Sequence, residues 1–331
     1  MAKKQEKEKT PNELFNESMK AKFGGSAPIT KNAEDRPVEK FSTGSLALDQ
    51  DLKGGYPKGK VTEIFGPEGA GKTTLCYHAV AEHQEKYPTE PVLWIDLEDV
   101  FDPIYASAIG VKNINNKELF IHSQPDTGED AYEVMISFCR AFKGGLMIVD
   151  SVALLLPLRE SDGDMGDAQM GSQAKMMSQG LRKLMPPLRK NGTTAIFINQ
   201  TRSKIGGYGD PTTTSGGNAL KFYARTRLSV TKAKGEEGVS TRMNIKLFKA
   251  NFGNEGAKVG VDIIYNKGFD RFAELRDICE ELGILKRSGS WFSYQDTKIG
   301  QGKIAVADLL RDNPELCESL TENLKEYGMA L

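Results

Sequence analysis

Residues 66–74 read Gly66-Pro67-Glu68-Gly69-Ala70-Gly71-Lys72-Thr73-Thr74 and fit G-x-x-x-x-G-K-[ST]. That spacing makes a phosphate-binding loop when a strand leads into it and a helix leaves it. Both are expected here, a buried strand over Val61 to Phe65 and a helix over Thr74 to Glu85. The glycines let backbone N–H groups turn inward, and with the helix N-terminus those donors cradle an anion. Lys72 then reaches the β- and γ-phosphates of a nucleotide, and the Thr73 hydroxyl is the expected Mg²⁺ ligand. The apolar run Leu146-Met147-Ile148-Val149 ends in Asp150, an acid suited to hold Mg²⁺ through water. Hydrolysis also needs a base beside the γ-phosphate. The strand Leu93-Trp94-Ile95 is followed by Asp96, Glu98 and Asp99, of which Glu98 is preferred. Close behind, Asp102-Pro103-Ile104-Tyr105 offers Tyr105 either as a ring to stack on adenine or as an ordinary helix-face aromatic.

Two polar, glycine-rich stretches lack any periodicity, PLRESDGDMGDAQMG (157–171) and TRSKIGGYGDPTTTSGG (201–217). Each follows a core strand, so both leave the sheet at the edge where the phosphate loop opens. Loops of this length in a compact domain are usually functional or disordered. Arg202 and Lys204 suit phosphates, while Met170, Ile205 and Tyr208 suit wedging against or stacking on bases. Plain surface loops with incidental apolar residues remain an equal alternative on pattern alone.

The elements that must position these residues follow from periodicity. Residues 1 to about 11 are charged and nearly devoid of apolar side chains, which predicts disorder. Leu14, Phe15, Met19 and Phe23 predict a short amphipathic helix over Asn12 to Lys22. From Val61 strands and helices alternate: strands at Pro91 to Asp96, Leu119 to His122, Leu146 to Asp150 and Thr193 to Asn199 are separated by helices. Asp126 with Glu129 reads as a capping box for the helix ending near Phe142. The helix Gln169 to Leu184 is expected to end or kink at Pro186-Pro187. Such alternation makes an α/β fold with a mostly parallel sheet. Three sequential strands, Arg225 to Thr231, Thr241 to Lys249 and Lys258 to Tyr265, predict an antiparallel extension, and a small α+β module follows from Gly268.

With 331 residues the chain has room for about two domains. A net charge of −1 excludes an all-over basic protein but not a local basic groove. The four cysteines form no C-x-x-C pair, so thiols in a reducing compartment are expected rather than zinc or disulfides. No apolar run approaches a membrane span of ~18 residues, and a soluble cytoplasmic protein is expected.

Taken together, STGSLALD (42–49), GPEGAGKTTL, DPIYA, SQPDTGE (123–129), IVDSVA, MMSQGLRKL (176–184), FINQTRSKIG (197–206), TTTSGGNALKFYA (212–224) and KIGQGK (298–303) resemble the bacterial RecA recombinases over about residues 22–327. The resemblance implies a RecA-type P-loop ATPase core, an N-terminal arm and a small C-terminal α+β domain, with boundaries at 1–41, 42–267 and 268–331. It implies a DNA-dependent ATPase that uses ATP and Mg²⁺, forms a helical homo-oligomeric filament on single-stranded DNA and pairs it with homologous duplex. Lys72, Thr73 and Asp150 match the phosphate and metal ligands, and Glu98 the water-activating carboxylate. Asp102, Tyr105 and Tyr265 match nucleotide contacts. Gln200 matches the residue that senses the γ-phosphate. Met170 and Ile205 match the residues inserted between base triplets, and Lys175, Ser178, Arg182, Gly216, Gly217 and Asn218 match DNA-backbone contacts. Lys249 matches the first of two lysines that reach a neighbouring subunit's nucleotide, but Asn251 stands at the second. Lys246 is a substitute only if a bulge intervenes, because residues three apart on a strand point to opposite faces. A ring helicase and a nucleotide-gated DNA scaffold are the competing readings.

Overall fold

The computed structural model describes residues 9–24, 38–161, 171–203, 212–235 and 239–329. The N-terminal unit contributes one described helix, α1 (Pro11–Phe23). Thr10 and Glu13 cap it reciprocally, with Pro11 at the first turn. None of its residues is buried, and Leu14, Phe15 and Phe23 stay exposed.

Residues 39–331 form a second compact unit. It opens with β1 (Lys40–Phe41), α2 (Leu46–Asp51) and β2 (Tyr56–Pro57). The alternating region runs β3 (Val61–Gly66), α3 (Lys72–Lys86), β4 (Val92–Asp96), α4 (Pro103–Ile109), β5 (Phe120–Ser123), α5 (Gly128–Ala141), β6 (Leu146–Asp150), α6 (Leu158–Ser161), α7 (Ser172–Asn191) and β7 (Thr194–Ser203). Then come β8 (Thr212–Thr214), α8 (Ala219–Tyr223), β9 (Thr226–Lys234), β10 (Ser240–Ala250), β11 (Lys258–Ile264) and β12 (Gly268–Phe269). The chain closes with α9 (Arg271–Glu281), β13 (Lys286–Ser288), β14 (Trp291–Tyr294), β15 (Thr297–Gln301), α10 (Lys303–Asp312) and α11 (Pro314–Glu326).

The main sheet has the order β12-β11-β10-β9-β3-β7-β6-β4-β5, with β8 on β7. From β9 to β5 every pairing is parallel, and β10, β11 and β12 add antiparallel strands. The central strands β3, β4 and β6 are buried throughout, as expected where helices cover both faces. Their alternate side chains feed two cores. Ile64, Trp94, Ile148 and Ile198 pack with α3, whereas Leu93, Ile95, Met147 and Phe197 pack with α5 and α7.

Three local expectations are corrected. Thr127, not Asp126, caps α5, because Thr127 has the extended backbone (φ −124°, ψ 158°) and its hydroxyl accepts the Asp130 N–H. Glu129 stands one residue too early to close a box with Thr127, and it accepts the Leu158 N–H instead. The helix after the first loop begins at Ser172, not Gln169, and Pro186 and Pro187 lie inside it, so of the two outcomes expected there, an end or a kink, the end does not occur. The carbonyls they leave unpaired belong to exposed Arg182 and Lys183, where water replaces the lost bonds. Buried Leu181, Leu184 and Leu188 hold the helix on the sheet. β7 runs past Asn199 to Ser203 because its end pairs with β8, Thr201 opposite Thr214.

The C-terminal module has its own core, including Leu275, Phe292, Leu310 and Leu324, and Leu46 of α2 joins it. Half-buried Glu274 of α9 takes the Ser45 hydroxyl and the Leu46 and Ala47 N–H groups at 2.6–3.2 Å. This carboxylate at a helix N-terminus ties the module to the sheet unit.

Candidate nucleotide and DNA site

The phosphate loop sits between β3 and α3, as the spacing predicts. Gly66 cannot carry a side chain, since a Cβ there would lie 2.0 Å from the Val230 carbonyl oxygen of β9. Gly71 holds φ +89° just before the first helical residue, Lys72. The loop borders a cleft of about 380 Å³ lined by Glu68 to Thr74, Glu98, Tyr105, Asp150, Gln200 and Tyr265. Lys72 is nearly buried, and its ammonium donates to the Pro67 carbonyl at 2.7 Å. Burial pushes its pKa down, partly offset by Asp150, Glu98 and Glu68. The Thr73 hydroxyl donates to Asp150 at 2.8 Å. Burial raises the Asp150 carboxyl to about 7, with the Thr73 bond opposing and the Glu98 and Asp96 charges adding to the rise. An acid so short of positive charge beside a hydroxyl fits a hard cation. One carboxylate, a threonine and water suffice for Mg²⁺, which usually keeps several waters.

Glu98 follows β4 and faces the same cleft. One of its oxygens takes both the Ser151 hydroxyl and the Gln200 side-chain amide, the latter at 3.0 Å. Tyr105 reaches Thr74 through a 3.2 Å hydroxyl contact and packs edge-on against Tyr77. Asp102 is not among the residues lining the cleft. Its carboxylate caps α4 through the Ile104 and Tyr105 N–H groups, and so holds Tyr105 in place. Sequence reasoning missed Ser151, Lys232, Thr241, Ile263 and Asn266. Ser151 sits beside Asp150 in the IVDSVA motif, but Lys232, Thr241 and Ile263 come from strands, and Asn266 from the turn after β11, whose approach no local pattern announces.

For the DNA residues, Lys175, Ser178 and Arg182 recur at helical spacing along α7, on a face apart from the buried Met177 and Leu181. Gly216 and Gly217, at φ +80° and +75°, lie against this helix. A Cβ on Gly216 would meet Met177 at 3.2 Å, and one on Gly217 would meet Ala174 at 2.8 Å. Asn218 is exposed just beyond. Behind the second loop, buried Asn199 joins the Ser215 carbonyl to Glu63, and Glu63 pairs with Arg227 at 2.5 Å. Met170, Lys204, Ile205 and Tyr208, and the side chain of Arg202, lie outside the described residues.

Lys249 does not line the cleft of its own chain; its ammonium donates to the Lys221 carbonyl at 3.1 Å. Burial lowers its pKa, helped by Arg225 and Arg227. A bulge interrupts β10 between Leu247 and Lys249. Leu247 and Ala250 are therefore both buried although three residues apart, and Lys249 shares the outward face of Lys246.

Comparison with known proteins agrees along the chain. The family model described as RecA N-terminal domain matches residues 14–270, and that described as RecA C-terminal domain matches residues 273–328. Protein RecA of Porphyromonas gingivalis is 43% identical over 320 residues, covering 95% of this chain and 92% of the relative. Protein RecA of Bacteroides thetaiotaomicron is 45% identical over 304 residues, covering 89% and 90%. Protein RecA of Bacillus velezensis is 42% identical over 311 residues, covering 92% and 88%.

Proposed function

The chain belongs to the RecA family, DNA-dependent ATPases of homologous recombination, and from that premise we propose how its residues divide the work. Glu98 orients and deprotonates the attacking water. Lys72 and the phosphate-loop N–H groups hold the phosphates. Thr73 and Asp150 hold Mg²⁺, which when bound neutralises charge on the β- and γ-phosphates. Tyr105 and Tyr265 take the base, with Asp102 setting the helix that carries Tyr105. The observation that carries this reading is the shared cleft of Lys72, Thr73, Asp150, Glu98 and Gln200.

Gln200 couples the cleft to DNA. It sits on β7, the strand that leads into the second loop, with its amide already on Glu98. A γ-phosphate competes for that amide, so nucleotide occupancy shifts the root of the loop. Lys175, Ser178, Arg182, Gly216, Gly217 and Asn218 contact the backbone of single-stranded DNA, and Met170, Arg202, Lys204, Ile205 and Tyr208 complete that surface. Residues 1–41 form an arm toward a neighbouring copy, 42–267 the ATPase core and 268–331 the C-terminal domain of a helical filament. Lys249 reaches the neighbour's nucleotide. The test is ATP turnover with and without single-stranded DNA, beside electron microscopy. Stimulated turnover with open helical filaments is the expected result. Closed rings, or DNA-bound filaments without turnover, would overturn it.

A further inference from the structure

Residues 97–101, the segment that carries Glu98, belong to no strand or helix, yet side chains hold the segment on several sides. The buried carboxylate of Asp96 accepts the Val100 and Phe101 N–H groups at 3.2 and 3.1 Å, folding the segment back over its own start. The Leu97 N–H donates to the Asp150 carbonyl at 2.8 Å. Two further contacts come from the outermost strand of the sheet and the turn after it. His122 Nε2 stands 3.3 Å from Asp96 Oδ2, and the Gln124 amide donates to Asp99 at 2.7 Å. Asp99 takes a left-handed backbone, φ +54°, which non-glycine residues seldom adopt without outside support. The Phe101 ring lies between Trp94 and His122, at 5.2 and 5.3 Å between centroids.

We propose that His122 and Gln124 are positioning residues for Glu98, clamping its loop from the sheet edge through Asp96 and Asp99. The inference rests on Glu98 acting as the base. A carboxylate opposite Nε2 selects the tautomer with the proton on Nε2, so His122 donates and Asp96 keeps its other lone pairs for the loop N–H groups. Asp96 thereby has three donors, and losing one frees it to turn away from the loop. Gln124 holds Asp99, the residue next to Glu98, in its unfavourable conformation. Neither side chain touches Glu98, so each acts on where the carboxylate stands and not on its chemistry.

The experiment uses the full chain on single-stranded DNA. His122→Leu and Gln124→Ala are expected to lower kcat about tenfold to a hundredfold, the scale of a small misplacement of a reacting group. KM for ATP, affinity for a fluorescent ATP analogue, DNA binding and thermal midpoint should stay at wild type. His122→Gln, whose amide can donate from the Nε2 position, should recover most of the turnover. In a Glu98→Gln background neither substitution should cost anything further, because residues that act as a unit are not additive. Wild-type kcat in both single variants, with Glu98→Gln inactive, overturns the clamp and leaves the base assignment standing. Losses that follow the thermal midpoint and are not recovered by His122→Gln also overturn it, since they mark ordinary packing. Full turnover in Glu98→Gln removes the base assignment and the clamp together.

Discussion

Glu98 holds two donors on one oxygen, Ser151 and Gln200, and that arrangement leaves its other oxygen to meet a water. The roles proposed for Lys72 and Glu98 separate cleanly by mutation. Lys72→Ala removes the point charge that faces the phosphates and should weaken ATP binding in equilibrium titration. Glu98→Gln keeps the shape and one hydrogen-bonding oxygen but removes the base. It should bind ATP as the parent does and hydrolyse it slower by roughly 10²–10⁴, the usual share of a general base. Rapid-quench turnover on DNA reads this directly, and a wild-type rate in Glu98→Gln counts against the role given to that residue.

Two elements carry separable predictions. α5 and α7 approach so closely at Gly180 that a Cβ there would lie 2.3 Å from the buried Tyr132 ring. Helix propensity alone favours Gly180→Ala by about 0.8–1.0 kcal/mol. Overpacking a filled core costs typically about 1–3 kcal/mol, and a buried ring has little room to yield. Gly180→Ala should therefore lower stability in urea melts; a gain would mean the helices can separate without cost. The second prediction concerns α3. His78 stacks on Phe269 at 3.8 Å, and its Nε2 accepts the Phe269 N–H at 2.9 Å. Burial holds its pKa down to about 3, with Arg271 adding to the drop. The unfolded chain then binds a proton near pH 6.5 that the folded chain refuses, so this contribution to stability is present above about pH 6.5 and is lost as pH falls toward 3, by at most about 1.4 kcal/mol per unit. His78→Gln can still accept the Phe269 N–H without titrating. The difference in melting temperature between the two proteins should therefore move in favour of the variant as pH falls, while other titrating groups cancel. A constant difference between pH 7 and pH 4 would show that His78 protonates without strain.

At the scale of the whole molecule the predictions concern copies of the chain and their DNA. Lys249 is half-buried beside the β10 bulge and does not line its own cleft, as expected of a residue that serves another subunit. Lys249→Ala should abolish DNA-stimulated hydrolysis while ATP still binds, a loss of about 10³ or more if it acts as an arginine finger does. Asn251 carries no charge, so Asn251→Lys should raise turnover or tighten the filament in light scattering. Normal hydrolysis by Lys249→Ala on DNA would place the whole active site within one subunit. DNA affinity should fall steeply with salt, since phosphate neutralisation releases counterions, and vary little with sequence, since stacking reads no base edges.

What the sequence by itself determined is local or periodic. The phosphate loop, the strand ending at Asp150 and the α/β alternation are legible because each is set by neighbours within a few residues: glycines that permit a turn, apolar runs that seek both faces of a sheet. Gln200 and Lys249 were assigned from resemblance rather than from pattern, and Glu98, preferred among three acids at a strand end, was singled out only weakly by pattern, since any strand end carries acids and amides. Tertiary structure alone decided what depends on contacts between distant segments. Prolines at 186–187 did not end α7, because burial of Leu184 and Leu188 against the sheet outweighs two backbone bonds lost to water. β7 extended to Ser203 because β8 was there to pair with it. The bulge at Lys249 exists only in the register of β10 against β9, and no spacing within one strand encodes the strand beside it. Ile263 and Asn266 reached the nucleotide cleft by the same route: their partners lie nearly two hundred residues away, and only the closing of the sheet brings them together.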